Sequence, residues 1–344
     1  MRLAALALAS LIGCVSGGGG HPTHNDGGEA GDLAVPPGAD LTLAPSDGAV
    51  ADLTSAAESD MAVADVWTAV ASGTQNALRT AAGNGPGNIV VVGVVGTILR
   101  STDGGATWKP QASGTNVTLS GAWCDGNGNF YAVGTGGTIL HSPNGANWAA
   151  QTSGTVANLT AVYGAGNDLF VVGASGTILH SINGGGTWTP QTSGTNVNLS
   201  NVGGGGANDL FVVGASGTIL HSTNLGASWT AEASGTANTL FVVTRVNGIG
   251  LIGGVGGTLL RSTDGMTWSA QASGTAQSLG GVAFDGAGHA FAAGAMGTLL
   301  ESTDGGQTWA PVASGTALSI WTLSPIAGDG IWAPGAAGLL LHHP

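Results

Sequence analysis

The segment LTAVYGAGNDLFVVGASGTILHSINGGGTWTPQT, residues 159–192, divides into four short runs. Residues 159–163, 168–172, 177–181 and 187–192 are each rich in β-branched and aromatic side chains, and Gly, Asn or Asp bounds every run. Such runs read as strands separated by turns, so the segment is a small antiparallel sheet of four, inner to outer in chain order. The same unit recurs outward in both directions. Trp188 opens the phrase Trp-x-x-x-x-Ser-Gly-Thr, which begins again at Trp67, Trp108, Trp148, Trp229, Trp268 and Trp309. Gly176 opens Gly-Thr-Ile/Leu-Leu, which returns at Gly96, Gly137, Gly217, Gly257 and Gly297 and, degenerate, at Gly338. A repeat of about forty residues with strand patterning and no helical period predicts a β-propeller.

The order of the phrases predicts how the propeller closes. Each Gly-Thr phrase is followed by a Trp phrase except the last, and the Trp67 phrase has no Gly-Thr phrase before it. The orphan at the front supplies what the last unit lacks. The expectation is an all-β, seven-bladed ring in which residues 66–72, Val66 to Ser72, form the outer strand beside residues 339–343. Closure removes the exposed sheet edges that otherwise recruit other chains. Helix is disfavoured, because the chain carries 64 Gly and each Gly inside a helix costs up to about 1 kcal/mol relative to Ala. Turns of the form Gly-x-x-Gly, such as 173–176 and 214–217, join second to third strands, where glycine is expected for positive φ. No loop is long enough to hold an inserted lid.

Between third and fourth strands stands Ser101-Thr-Asp103-Gly-Gly-Ala-Thr-Trp108, with relatives from Ser142, Ser181, Ser222, Ser262 and Ser302. This phrase resembles the Asp-box (BNR) repeat of sialidase-type propellers. Asp103, Asp264 and Asp304 match it in full, while Asn144, Asn183 and Asn224 carry an amide instead. Either side chain can bond local backbone N–H groups, and the resemblance implies a structural turn remote from any active site. Six such phrases in one seven-bladed ring are similar to the photosystem II assembly and stability factor family over residues 66–344. That resemblance implies a non-catalytic platform that binds a protein. Members from phototrophs carry an arginine-rich patch, whereas this ring holds only Arg79, Arg100, Arg245, Arg261 and Lys109. An enzymatic relative of the sialidase type needs an arginine triad and a Tyr nucleophile. Only Tyr131 and Tyr163 exist, and the arginines occupy unlike positions in their blades. The alternative function is a carbohydrate-active hydrolase working through a carboxylate pair.

The N-terminus reads as an address. Met1-Arg2 and the apolar run to Leu11 form a short secretory signal over residues 1–13, too brief to span a bilayer. Leu11-Ile-Gly-Cys14 resembles the bacterial lipobox, which implies lipidation of Cys14 and a membrane anchor; the plainer alternative is a chance cysteine in an ordinary signal peptide. Val15 after the cysteine points to the outer membrane. Residues 14–64 carry eight acids, no Lys or Arg and no aromatic residue, so they are expected to be a disordered linker reaching about 40 Å. The propeller domain is placed at 65–344.

Charge and cysteines narrow the partners further. The ring has eleven acids against five bases, within a total of −13. Nucleic acid is therefore excluded as a partner, since it requires clustered Lys and Arg. A monomer is expected, with no cofactor. Cys124 lies in an inner strand and reads as a small apolar core residue. One third-strand position reads Arg100, His141, His180, His221, Arg261, Glu301, His342. Strands are about 4.8 Å apart, so third strands diverge from the axis and these histidines are expected to pack within blades, with no metal. The second residue of each inner strand is small in most blades, as at Ser120, Thr160, Ser200 and Gly280. It is Arg79 in the first, Phe241 in the fifth and Trp321 in the seventh. First and seventh blades become neighbours on closure, so Arg79 and Trp321 should meet at a channel mouth. With Phe241 they are the candidate ligand-binding residues, and the expected partner is an envelope protein or a glycan. No catalytic residue is assigned.

Overall fold

A computed structural model describes residues 66–344 other than 166, 207 and 286. Cys14, the signal peptide and the linker lie outside the described residues. The ring consists of seven antiparallel sheets of four strands. Blade one is Leu78–Gly83, Ile89–Gly93, Ile98–Ser101 and Lys109–Pro110. Blade three is Leu159–Ala165, Asp168–Gly173, Ile178–Ser181 and Thr189–Gln191. Blade seven takes Ser324–Ile326, Gly330–Pro334 and Leu340–His343 from one part of the chain and Thr68–Ala69 from the other.

Burial explains which runs are apolar throughout. A second strand lies between neighbouring blades and is covered on both faces, so Ile89–Gly93, Phe130–Gly134 and Ala290–Gly294 are buried at every residue. Their sequences read as unbroken apolar runs because no face is left for a polar residue. Outer strands such as Lys109–Pro110 are exposed and only two or three residues long. The core is a set of interblade clusters. In one of them Val90, Val92 and Ile98 of blade one meet Leu119, Phe130, Ala132 and Leu140 of blade two. Each fully buried side chain of this size contributes about 1.5–3 kcal/mol.

The joint at blade seven repeats the joints elsewhere. Thr68 faces His342 and Ala69 faces Leu341, and the Val70 N–H donates to the Leu340 carbonyl at 2.9 Å. Ser72 Oγ donates to the Gly338 carbonyl at 2.7 Å, as Ser314 Oγ does to Gly297 at 2.6 Å. A Cβ on Gly338 would fall 1.9 Å from the Thr74 carbonyl oxygen, the same clearance as between Gly176 and Thr195. Trp67 is buried among Phe291, Leu323 and Leu341. Of the stretch 66–72 only two residues are strand, while Trp67 is held by burial, Val70 by its bond to Leu340 and Ser72 by its bond to Gly338.

Local details differ from the sequence expectation in three places. The Gly-x-x-Gly turns are short 3₁₀ turns such as Ala174–Gly176. Their first glycine is extended (φ −173° at Gly173), and it is needed for space, since a Cβ there would lie 2.3 Å from the Asn158 carbonyl oxygen. The inner strand of blade seven is interrupted: Ile320 bridges to Gly335, and regular pairing resumes only at Ser324–Ile326.

Candidate functional site

The inner strands begin with a fully buried aliphatic residue and then break register. Pairing shifts between Leu78 and Thr80, Leu119 and Gly121, Leu159 and Ala161, Leu199 and Asn201, Leu240 and Val242, and Leu279 and Gly281. The skipped residue is in each case the second of the strand, so a β-bulge releases it from the ladder. Bulges re-aim side chains, and here residues at this position line a cavity at the mouth of the channel. The position at which Arg79 and Phe241 depart from the average blade is thus one the backbone leaves unpaired. In the broken strand of blade seven, the Trp321 N–H donates to the Pro334 carbonyl at 2.9 Å and serves the same end.

The structure brings Arg79, Phe241 and Trp321 to one cavity of 590 Å³, with Ser120, Thr160 and Ser200 on the remaining wall. The Arg79 guanidinium carbon lies 4.6 Å from the centroid of the Trp321 ring, within cation–π range. Phe241 lines the same cavity, but no ring contact joins it to that pair. No carboxylate lines this mouth among the described residues. Arg79 Nε is buried and has no hydrogen-bond partner. Burial lowers the Arg79 pKa from its ordinary value, although a guanidinium stays charged in proteins. A partly buried cation with an unmet donor, stacked on an aromatic ring, has the chemistry to receive a hydrogen bond acceptor or a negative charge.

The other arginines are engaged elsewhere, although Arg245 Nη1, like Arg79 Nε, is buried without a hydrogen-bond partner. Arg100 Nε donates to Asn88 Oδ1 at 2.8 Å, Arg261 Nε to the Gly305 carbonyl at 2.8 Å, and Arg245 Nε pairs with Asp209 Oδ2 at 2.8 Å. The third-strand histidines belong to their own blades. His180 stacks on Phe170 at 4.3 Å with Nε2 2.7 Å from Asp168 Oδ1. His221 repeats this with Phe211 at 4.2 Å and Asp209 at 3.1 Å. His141 stacks on Tyr131, and burial lowers its pKa from the ordinary value. Among the described residues, no group of three His, Cys, Asp or Glu is placed to hold a metal ion.

A second cavity of 280 Å³ opens at the far end of the inner strands, with Cys124, Asp125, Trp123 and Tyr163 in its wall. Burial, with Asp125 adding to it, pushes the Cys124 thiol far above its usual range, so it is not a thiolate nucleophile. Among the described residues Asp125 is its single carboxylate, and it accepts from the N–H groups of Asn127 and Asn129 at 2.9 and 2.7 Å. The turns between third and fourth strands are closed units. In the first, Thr107 Oγ1 and N–H donate to Asp103 at 2.5 and 2.9 Å, and Gly105 N–H donates to Ser101 Oγ at 2.9 Å. Asn183 reproduces the pattern, accepting from the Thr187 N–H at 2.9 Å and donating to its hydroxyl at 3.1 Å.

One feature of the mouth escapes the sequence reading. The third residue of each Gly-x-x-Gly turn lies in the left-handed region, where it is Gly136 or Gly256 in two blades but Val95 and Met296, both at φ 55°, in two others. That conformation costs an L-residue roughly 1–2 kcal/mol. Nothing in a single repeat shows which turn residue takes positive φ, so the strain becomes visible only with the backbone.

No protein-family model matches the chain, and no curated protein matches it. Solved structures do. YCF48 bound to D1 peptide is 18% identical with a TM-score of 0.68, over 80% of this chain and 94% of that one. YCF48 from Cyanidioschyzon merolae is 21% identical with a TM-score of 0.65, over 80% and 98%. The WD40 β-propeller domain of Doa1 is 12% identical with a TM-score of 0.67, over 80% and 96%. At such identities the likeness establishes the propeller fold alone.

Proposed function

We propose that this chain is a cell-envelope lipoprotein, anchored through Cys14 in the outer membrane, whose propeller is a non-catalytic platform for a protein partner. The partner engages the channel mouth at Arg79, Phe241 and Trp321. The observation that carries this reading is Arg79 itself, stacked on Trp321 with a buried, unmet Nε in a mouth free of carboxylates. A propeller of similar fold has been solved as YCF48 bound to D1 peptide, which supports a peptide-binding role here by analogy of fold. Glycoside hydrolysis requires two carboxylates flanking the bond. Among the described residues the mouth offers none, and the opposite cavity offers Asp125 alone, occupied by its own turn.

Affinity capture from the native envelope with the full chain tests the reading. Arg79→Ala and Trp321→Ala are each expected to weaken retention of the captured protein at least tenfold, about 1.4 kcal/mol. Retention by both variants would remove the mouth from consideration. Turnover of chromogenic glycosides that is lost in Asp125→Asn would establish the hydrolase instead. The anchor is tested separately: incorporation of labelled fatty acid should disappear in Cys14→Ser.

A further inference from the structure

On the face that carries the Arg79 mouth the exposed large apolar side chains gather on one side, with Val156 in the loop entering blade three the exception. That face is built from the Gly-x-x-Gly turns and the loops that enter the inner strands, and Ala295 of one such turn and Ser278 of one such loop line the cavity itself. From blade five round to blade one these segments present Val255, Met296, Leu318 and Val95, which are 37%, 68%, 41% and 58% exposed. Trp321, 38% exposed, belongs to the same arc. Across the ring the turns present Gly136, Ser175 and Ser216, and Asn158 and Asn198 of adjoining blades accept from the Gly136 and Ser175 N–H groups at 3.0 Å. On that side the turn N–H groups are satisfied within the ring, and Val156, 88% exposed, stands apart from the apolar arc.

Fold stability gives no reason for the apolar half. Val95 and Met296 are solvent-exposed, so they gain little from burial, and both occupy a left-handed conformation in which a β-branched or bulky residue is an outlier. Ser175, Ser216 and Ala337 share that conformation, so the strain belongs to the turn itself; what sets this half apart is the bulky apolar residue placed there, and exposed apolar side chains gathered on one face mark interaction sites. Charge sets the other requirement. Arg79 is the cation at the mouth, no acid lines it, and the ring carries eleven acids against five bases, so a partner rich in negative charge would be repelled.

We propose that this half-face binds an extended protein segment in which a single carboxylate, seated on Arg79, is flanked by aliphatic side chains that cover Trp321, Met296, Val255 and Val95. The inference rests on the reading of the mouth as a protein-binding platform and adds the chemistry of the bound segment. The carboxylate belongs to an Asp or Glu side chain or to a C-terminus. Each aliphatic neighbour removes apolar surface from water on both sides of the contact.

Selection on the full chain from two synthetic random heptapeptide libraries, one with free and one with amidated C-termini, tests the inference. Enriched peptides should combine one carboxylate with at least two neighbouring aliphatic residues. Binders from the amidated library locate the carboxylate on a side chain, and binders confined to the free library locate it at the terminus. Affinity for an enriched peptide should fall at least tenfold in Arg79→Gln and in the double variant Val95→Asn, Met296→Asn. The double variant should unfold at the same temperature as the parent or higher, because Asn tolerates the left-handed region, whereas a structural role would lower it. Peptides without a carboxylate, or affinity unchanged in either variant, would overturn the inference and leave the platform standing. No enriched peptide in either library, or binding of an acidic glycan instead, would overturn both.

Discussion

Replacing Trp67 by Ala tests whether the ring is held shut by its own first strand. Trp67 precedes a strand of two residues, at a place where chains ordinarily fray. Yet its side chain is 6% exposed, meets the Phe291 ring edge-on at 5.7 Å and lies 5.0 Å from the His343 ring. Truncation of a buried Trp costs about 3–5 kcal/mol, against a total of roughly 5–15 kcal/mol for a domain. In a ring of this size each kcal/mol lowers the midpoint by about 2–4 °C, so Trp67→Ala should lose roughly 6–20 °C. Trp108 heads the same phrase in the neighbouring blade and meets Trp332 edge-on at 5.3 Å. Trp108 is only partly buried, so if the closing joint is as well packed as an interior one, Trp108→Ala should cost no more than Trp67→Ala. Calorimetry of the full chain, with circular dichroism to check for a single transition, measures both. A loss below about 2 °C for Trp67 beside a large loss for Trp108 would refute the idea that the two distant chain segments lock each other.

Two further outcomes follow from the turns. The Asp103, Asp264 and Asp304 carboxyls are held below the ordinary range, Asp103 at about 2, chiefly by the hydroxyls of Thr107, Thr267 and Thr308 and next by the backbone N–H groups of the same residues. A folded pKa below the unfolded value contributes stability that is complete above about pH 4 and is lost as pH falls towards 2. Changing all three to Asn should flatten the unfolding midpoint across that window, and an unchanged acid limb would assign acid unfolding to other groups. Gly176→Ala places a Cβ 1.9 Å from the Thr195 carbonyl oxygen at φ 70°. Gly194→Ala, at φ 74° with nothing within 4 Å, meets only the backbone cost of about 1 kcal/mol. Urea unfolding should show the first destabilised well beyond the second, and equal losses would mean that the Ser-Gly-Thr joint yields.

The sequence carried the architecture because the repeat is its own alignment. Seven Trp phrases set against seven Gly-Thr phrases defined both the blades and the segment needed for closure. Departures from the average blade singled out Arg79, Phe241 and Trp321, and the structure gathers these three at one mouth. Their access to the channel depends on a bulge after Leu78, Leu240 and their counterparts, which no residue type announces. The pairing of Arg245 with Asp209 was hidden as well, because it links adjacent blades through positions 36 residues apart and needs the register of both. Val95 and Met296 looked ordinary as letters, and only the sign of φ sets them apart.

The seam in blade seven also has a meaning in time. Thr68 leaves the ribosome 274 residues ahead of His342, the residue whose carbonyl its hydroxyl bonds. Until Leu340–His343 has been translated, the first-made strand has no neighbour to dock against, and the nascent ring must wait as an open arc. A polypeptide broken off before that point would keep two raw sheet edges, which marks it for proteases and distinguishes it from a finished molecule.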